Sequence, residues 1–333
     1  MLVAVRSRCG SRPSNLYLTV GPRASTPART VAIMRGRAAT SFTGDAAMAV
    51  LGKACDRASL SPDGAESLRL GENAIYRLSS LPVVVRVARD PDHWTAAVKE
   101  VAVADWLDEH RLPAARTWQV EQPIDVDGYP VTFWRHIEGR RGGPSDVRAL
   151  GALLRIVHAL PAPTSFALPP EDVLGRVRVR IERAPIPTAD RAFLLALLDE
   201  LTAAVAELTY PLMPCVTHGD AHVQNPMVTG DGVVLIDFER VAWGQPEWDL
   251  GMTAAEYVTA RWWTDEQYAA FAESYGFVVT TWGGFDTVRR VHEIKMTTWL
   301  MQNVNESPEI AEEYERRMLT VRDGRRDVLW RPF

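Results

Sequence analysis

Lysine is nearly absent from this 333-residue chain. Lys53, Lys99 and Lys295 stand against 34 arginines, an imbalance that reads as the base composition of an Arg- and Ala-rich, high-GC source and not as mechanism. Cysteine is equally scarce. Cys9, Cys55 and Cys215 lie far apart with no CxxC among them, which excludes a zinc ribbon or a dithiol redox site and fits a reducing cytoplasm. No run of about 18 apolar residues occurs, so no membrane-spanning helix is expected. Acids are missing from residues 1–44, which hold seven arginines. That segment also lacks the apolar core of about 7–15 residues that a secretory signal needs. Its composition resembles a transit peptide, but it reads more simply as a disordered tail, or as sequence ahead of a true start at Met34.

Without the tail the chain is strongly acidic, near −12. Such a body repels phosphate backbones and attracts cations, so a nucleic-acid partner is not expected. An Arg-rich tail that binds nucleic acid or an anionic membrane rests on residues 1–44 alone. With 47% hydrophobic and 24% charged residues, the body is an ordinary globular composition, long enough for two lobes.

Residues 45–60 suit a short helix. ESLRLGENAIYRL at 66–78 reads as two strands around a Gly-Glu-Asn turn, and PVVVRVA at 82–88 as a buried strand. A helix over 94–110 follows, with Ala97, Val101, Ala104 and Leu107 along one face. Two more strands, 117–121 and 129–137, flank an Asp127-Gly128 turn. Beyond residue 138 the pattern turns helical. Helices are expected over 145–160 and 188–208, then a loop at 215–229, a strand at 233–237 and at least three helices from 247 to 325. The order predicts an α+β protein, with a small antiparallel sheet followed by a mainly helical region.

The chemistry concentrates between Val216 and Leu250. His218-Gly219-Asp220 is followed by Asn225 five residues on, and Asp237 lies at the end of the apolar run VVLIDF. An Asp in a loop can orient a hydroxyl and accept its proton. An Asn amide oxygen and a second carboxylate are hard oxygen donors suited to Mg²⁺. Phosphoryl transfer asks mainly for positioning and charge stabilisation, which this set supplies.

HGDxxxxN followed by IDFE and PEWDL resembles the aminoglycoside phosphotransferase and choline kinase superfamily, over about residues 66–300. The resemblance implies a protein-kinase-like fold of two lobes that uses ATP and Mg²⁺. The nucleotide-binding lobe would span 45–137, and the helical, acceptor-binding lobe 138–333. It further implies that Asp220 is the catalytic Asp, that Asn225 and Asp237 hold Mg²⁺, and that Asp249 braces the loop from below. Gly71 and Asn73 resemble the family's short nucleotide loop, although an ordinary hairpin accounts for them equally. The sequence departs from the kinase pattern in its third strand, where Arg86 stands in place of lysine. Arg86 needs a partner, and Glu100 is the natural one, whether the pair is structural or binds phosphate. Arg89 is the alternative, and Lys99 is expected to face solvent. Backbone around Arg135 and Ile137 resembles the hinge that meets adenine.

Other residues have blander readings. His218 reads as a brace of its loop, and His222 as a group that can approach phosphate. Glu239 reads as a surface or substrate-facing acid, and Cys215 as a buried apolar residue. Trp262, Trp263, Trp282 and Trp299 read as core, with one or two available to line an acceptor pocket. Asp265, Glu266, Glu273, Glu306, Glu309, Glu312 and Glu313 read mostly as solvated helix faces. The acceptor is a small molecule with a hydroxyl. An aminoglycoside-like one is favoured, with a metabolic amino alcohol or a macrolide as alternatives, and a non-catalytic nucleotide-binding module on the same fold stays open.

Overall fold

Thr43 starts the first helix. Its extended backbone and its Oγ1, which accepts the Ala46 N–H at 3.3 Å, cap α1 (Gly44–Ala58). Ala47, Val50, Leu51, Ala54 and Cys55 recur at helical spacing and are buried on a five-stranded antiparallel sheet. The computed structural model describes residues 42–332 apart from Glu72. Most of the Arg-rich tail therefore lies outside the described residues, while Phe42 packs on Tyr129 with ring centres 5.8 Å apart.

The sheet runs in the order β1-β2-β3-β5-β4, built from β1 (Glu66–Leu70), β2 (Asn73–Arg77), β3 (Val83–Ala88), β4 (Ile124–Val126) and β5 (Tyr129–Arg135). Between β3 and β4 lies α2 (Trp94–Glu109). Strand periodicity settles the place of Arg86. Val83, Val85 and Val87 are fully buried toward α1, so Val84 and Arg86 point to the opposite face, where α2 lies.

One expected strand is not formed. Residues 117–121 contribute a single bridge, Thr117 to Trp134. The partner of β5 is β4, because Asp127 and Gly128 both take positive φ (54° and 91°) and close a two-residue hairpin from Val126 to Tyr129. A turn that tight pairs the residues next to it, and 117–121 are too far upstream.

The helical region contains β6 (Arg140–Arg141), α3 (Val147–His158), α4 (Val177–Arg183), α5 (Thr188–Ala206), β7 (Cys215–Thr217), β8 (Pro226–Thr229), β9 (Gly232–Leu235), β10 (Ala242–Gly244) and α6 (Pro246–Ala255). A π-helical turn at Glu256–Ala260 follows, and then α7 (Asp265–Tyr275), α8 (Phe285–Leu300) and α9 (Pro308–Asp323). The expected loop at 215–229 thus carries a short strand at each end, and the expected strand at 233–237 stops at Leu235. Helix α4 was not anticipated. VRVRIER alternates like a strand, yet Val177 and Ile181 are buried four residues apart, the spacing of one helix face. Glu313, expected on a solvated face, is fully buried, accepting from Arg317 Nε at 2.9 Å and the Arg331 N–H at 3.0 Å.

A shared core joins the two regions. Val103, Ala104, Trp106 and Leu107 of α2 pack with Val157, Val216, Leu235, Phe238 and Val241. Among the described residues, no helix is long and apolar enough to cross a membrane. Helices α6 and α8 lie close because Gly251 has no side chain. A Cβ there would fall 2.3 Å from Val288 Cγ1 and 3.2 Å from His292 Nε2. Gly251→Ala is expected to cost about 1–3 kcal/mol, as overpacking does. An unchanged urea midpoint would show that the two helices have room to spare.

Candidate active site

The loop after β7 is built around Asp249 of α6. Its buried carboxylate accepts the His218 N–H at 2.6 Å and the Gly219 N–H at 2.8 Å, and His158 Nε2 lies 2.9 Å away. Burial would raise this carboxyl. The hydrogen bond and charge of His158, with His218, outweigh burial and hold it below the usual range. Gly219 sits at φ 77°, and a Cβ there would fall 2.4 Å from Arg240 O, so no other residue fits. His218 completes the brace, with Nε2 3.0 Å from Ile236 O.

The brace presents Asp220 and Asn225. Asn225 is buried, and its Nδ2 donates to Asp220 O at 2.7 Å and reaches Asp220 Oδ2 at 3.4 Å. Its own carbonyl accepts the Ile236 N–H at 3.0 Å, which sets Asn225 beside the Asp237 segment. Asp237 follows β9 with φ 69°, a left-handed conformation uncommon for a residue with a side chain. Its carboxylate is exposed, and no described residue donates a hydrogen bond to it. An exposed carboxylate beside an Asn whose amide nitrogen is already engaged offers oxygen donors, the set Mg²⁺ takes together with substrate phosphates. Among the described residues no cluster of three His, Cys, Asp or Glu side chains could hold a metal by itself. His222 lies in the same loop, with Nε2 3.8 Å from Asp220 Oδ2, and burial lowers its pKa, so it is neutral near pH 7.

A second cluster surrounds Arg86. Its Nη1 donates to Glu100 Oε2 at 2.5 Å and its Nη2 to Glu239 Oε2 at 3.2 Å. With the Asn73 amide turned so that both its ends are satisfied, its oxygen accepts from Arg86 Nε at 3.0 Å and Nη2 at 2.7 Å. Burial raises Glu100 to about 7, helped by Asp237 and Glu239 and opposed by Arg86. Glu239 is a junction and not a free surface acid, since Arg176 Nη2 also donates to it at 2.5 Å. Burial pushes the Glu239 carboxyl up, but the Arg176 hydrogen bond and the charges of Arg176, Arg86 and Arg240 bring it below its usual range. Lys99 does not face solvent. Its Nζ donates to Glu239 O at 2.6 Å and Val241 O at 2.9 Å, tying α2 to the Asp237 segment. Arg89 is exposed.

The remaining expected nucleotide contacts stand apart from these clusters. The Gly71 N–H closes its own hairpin on Asn73 O at 3.1 Å, and a Cβ on Gly71 would meet only Arg69 Nε at 3.6 Å. Just after β5, the Arg135 N–H donates to Arg116 O and the His136 N–H to Pro82 O, while no described carbonyl accepts the Ile137 N–H. The Ile137 N–H is therefore left without a backbone acceptor in the stretch expected to act as the hinge. Cys215 is buried in β7, and burial raises its thiol to about 12, the state of an inert apolar residue.

A model of the phosphotransferase enzyme family (APH) matches residues 69–291. The chain belongs to that family. The stretch includes Asp220, Asn225, Asp237 and Asp249, so the braced loop of this phosphotransferase lies inside the matched region. No curated protein matches the chain in sequence. Solved structures share its kinase-like fold. An amicoumacin kinase solved with AMP-PNP, Ca²⁺ and its antibiotic is 15% identical with a TM-score of 0.68, covering 83% of this chain and 93% of that one. The choline kinase LicA from Streptococcus pneumoniae is 13% identical with a TM-score of 0.61, covering 83% and 98%. An APH(2″) protein solved with GDP and kanamycin is 15% identical with a TM-score of 0.59, covering 82% and 98%.

Sequence reasoning missed four charged groups around this loop. Arg176, Glu171 and Lys295 belong to no motif, and Glu256 begins the π-helical turn. Burial raises the Glu256 carboxyl to about 8, with Trp263 Nε1 donating to it at 3.0 Å and opposing the rise, and with Asp220 adding to it.

Two expectations follow for the phosphotransferase. Asp249→Ala strands two buried backbone N–H groups and should cost about 3 kcal/mol, read from urea unfolding; a loss under about 1 kcal/mol would mean that the brace is not structural. Glu256 keeps its proton in the folded state, while in the unfolded chain it loses it near about 4.3. Stability therefore falls as pH rises from there toward about 8. Glu256→Gln should melt above wild type at pH 8 and level with it at pH 4. Parallel melting curves across that range would contradict a raised Glu256.

Proposed function

We propose that this phosphotransferase moves the γ-phosphoryl group of ATP, with Mg²⁺, to a hydroxyl of a small molecule. The observation that carries the reading is the loop held by Asp249, in which Asp220 and Asn225 are fixed beside an Asp237 with an unengaged carboxylate. Asp220 orients the acceptor hydroxyl and takes its proton. The new bond forms between the acceptor oxygen and Pγ, and the bond from Pγ to the β–γ bridging oxygen breaks, releasing ADP. The proton passes from Asp220 to solvent. Asn225 and Asp237 would hold Mg²⁺, which when bound neutralises charge on the phosphates.

Arg86, aligned by Glu100, supplies a permanent charge for the phosphates that are not transferred. Glu239 shares Arg86, so nucleotide phosphate competes with a carboxylate already in place. The Ile137 N–H is the adenine donor in this reading, with Arg135 contributing its carbonyl, while Gly71 and Asn73 close the nucleotide space above Arg86.

For the acceptor, an aminoglycoside-like polyamine is favoured by the acidic body, near −12 outside the tail. Solved proteins of the same fold include an aminopropanol kinase and a macrolide 2′-phosphotransferase, so amino alcohols and macrolides are the other classes to test. The experiment is ADP release from Mg-ATP over a panel of aminoglycosides, macrolides, choline and amino alcohols. Asp220→Asn should lower kcat by about 10²–10⁴-fold, the range of general-base catalysis. A variant within about threefold of wild type would remove Asp220 from the chemistry.

A further inference from the structure

Arg176 reaches the Arg86 cluster from a segment that no motif marks, and that segment is fixed on both sides. The Trp243 N–H donates to Pro169 O at 2.8 Å and the Glu171 N–H to Trp243 O at 2.9 Å, so residues 169–171 run along β10. Val173 and Leu174 then pack on the core that holds Val177 and Ile181 of α4. Gly175 makes the turn between them, where a side chain would strike the Asp172 carboxylate. Arg176 comes next, at the start of α4, with its backbone O accepting the Arg180 N–H at 3.1 Å. From this anchored position its Nη2 donates to Glu239 Oε1 at 2.5 Å.

Glu239 is therefore shared. Its Oε1 accepts from Arg176, its Oε2 lies 3.2 Å from Arg86 Nη2, and its backbone O accepts from Lys99 Nζ at 2.6 Å. Arg86 in turn donates through Nη1 to Glu100 Oε2 at 2.5 Å. The side chains joined in this way are two guanidiniums and two carboxylates, whose charges cancel when both acids are ionised. The Arg86–Glu239 contact is the longest of the three ion pairs, so it is the one that opens most readily. A phosphate that takes Arg86 Nη2 takes it from this carboxylate. The Glu239 side chain is only 15% exposed, so it cannot turn to bulk water when Arg86 leaves. Arg176 stays with it. Without Arg176, Arg86 alone would neutralise both bonded carboxylates, and an arriving phosphate would meet net negative charge.

We propose that Arg176 is a positioning residue for nucleotide phosphate, acting through Glu239. It does not touch the nucleotide. It holds Glu239 from the far oxygen, so that Arg86 can exchange that carboxylate for phosphate without stranding a buried charge. The role rests on the phosphate-binding reading of Arg86 above, whereas the linkage from Arg176 through Glu239 to Arg86 stands on the contacts alone.

The test is a double-mutant cycle in the full chain, read by calorimetric binding of Mg-ATP. Arg176→Gln should weaken binding about tenfold, the scale of one charge-assisted contact, and Arg176→Lys should recover most of the loss. Glu239→Gln should bind no more weakly than wild type, because the competing charge is gone. In that background Arg176→Gln should change affinity by less than about twofold. A loss that persists there overturns the proposal, since Arg176 would then act on the nucleotide without Glu239. Unchanged affinity in Arg176→Gln, or weakened binding in Glu239→Gln alone, overturns it as well. In turnover the Arg176→Gln effect should fall on KM for ATP and leave kcat within about threefold, as loss of uniform binding does. A second arm needs no nucleotide. Arg86→Met with Arg176→Gln leaves Glu239 without either arginine, so the pair should lower the melting temperature by more than the two single losses added. Glu239→Gln should give that excess back. Additive losses, or an excess that Glu239→Gln leaves in place, overturn the linkage, so it and the phosphotransfer reading fail separately.

Discussion

The candidate site hangs on one buried carboxylate. Asp249 lies in the first turn of α6, where a negative charge also meets the positive end of the helix. Three donors converge on it, and two of them are consecutive backbone N–H groups of the loop. A peptide held at two successive amides has little freedom left, so the direction of Asp220 is inherited from α6 and not chosen by the loop. Gly219 is the complement of this constraint, since the close passage of Arg240 leaves no room for a side chain.

Electrostatics divides the region in two. Around Arg86, each charge has a direct partner: Glu100, Glu239 and, through Glu239, Arg176. Around Asp220 the charges are near one another but mostly not hydrogen-bonded. The first arrangement fixes Arg86 among partners that a phosphate would have to share, and the second leaves the Asp237 carboxylate without a hydrogen-bond donor among the described residues. Asp237 sits between them, influencing both Arg86 and His222 through space. A divalent cation bound there would alter both clusters at once.

Much of this was legible in the sequence because local signals carried it. HGDxxxxN, IDF and WDL fix spacing along short stretches, and the Asp127-Gly128 turn announces a hairpin. The alternation of VVVRVA marks Arg86 as the residue on the other face. What escaped depends on contacts between distant segments. Lys99 reads as solvated until Glu239 and Val241 are seen to turn their carbonyls toward it. Glu313 reads as one more acid on a charged helix until Arg331 returns to cover it. Lys295 and Glu171 are separated by more than a hundred residues, and the charge of each bears on the other only across the fold. The family resemblance gave the fold and the enzyme class, but the acceptor depends on those distant meetings.

The Lys99 tether also constrains how the cleft can open. Swinging the whole sheet region away as a rigid body would break two hydrogen bonds from Lys99, the Arg86–Glu239 contact and a shared core containing Trp106 and Phe238. By contrast β1 is exposed along its whole length and pairs only with β2. Lifting β1 alone costs few buried contacts, whereas β2 is held by its ladder to β3 and by Ala74 and Tyr76 in the core. The part of the sheet that yields most cheaply is therefore the single edge strand β1, while the segments that carry Asp220 and Asp237 stay tied.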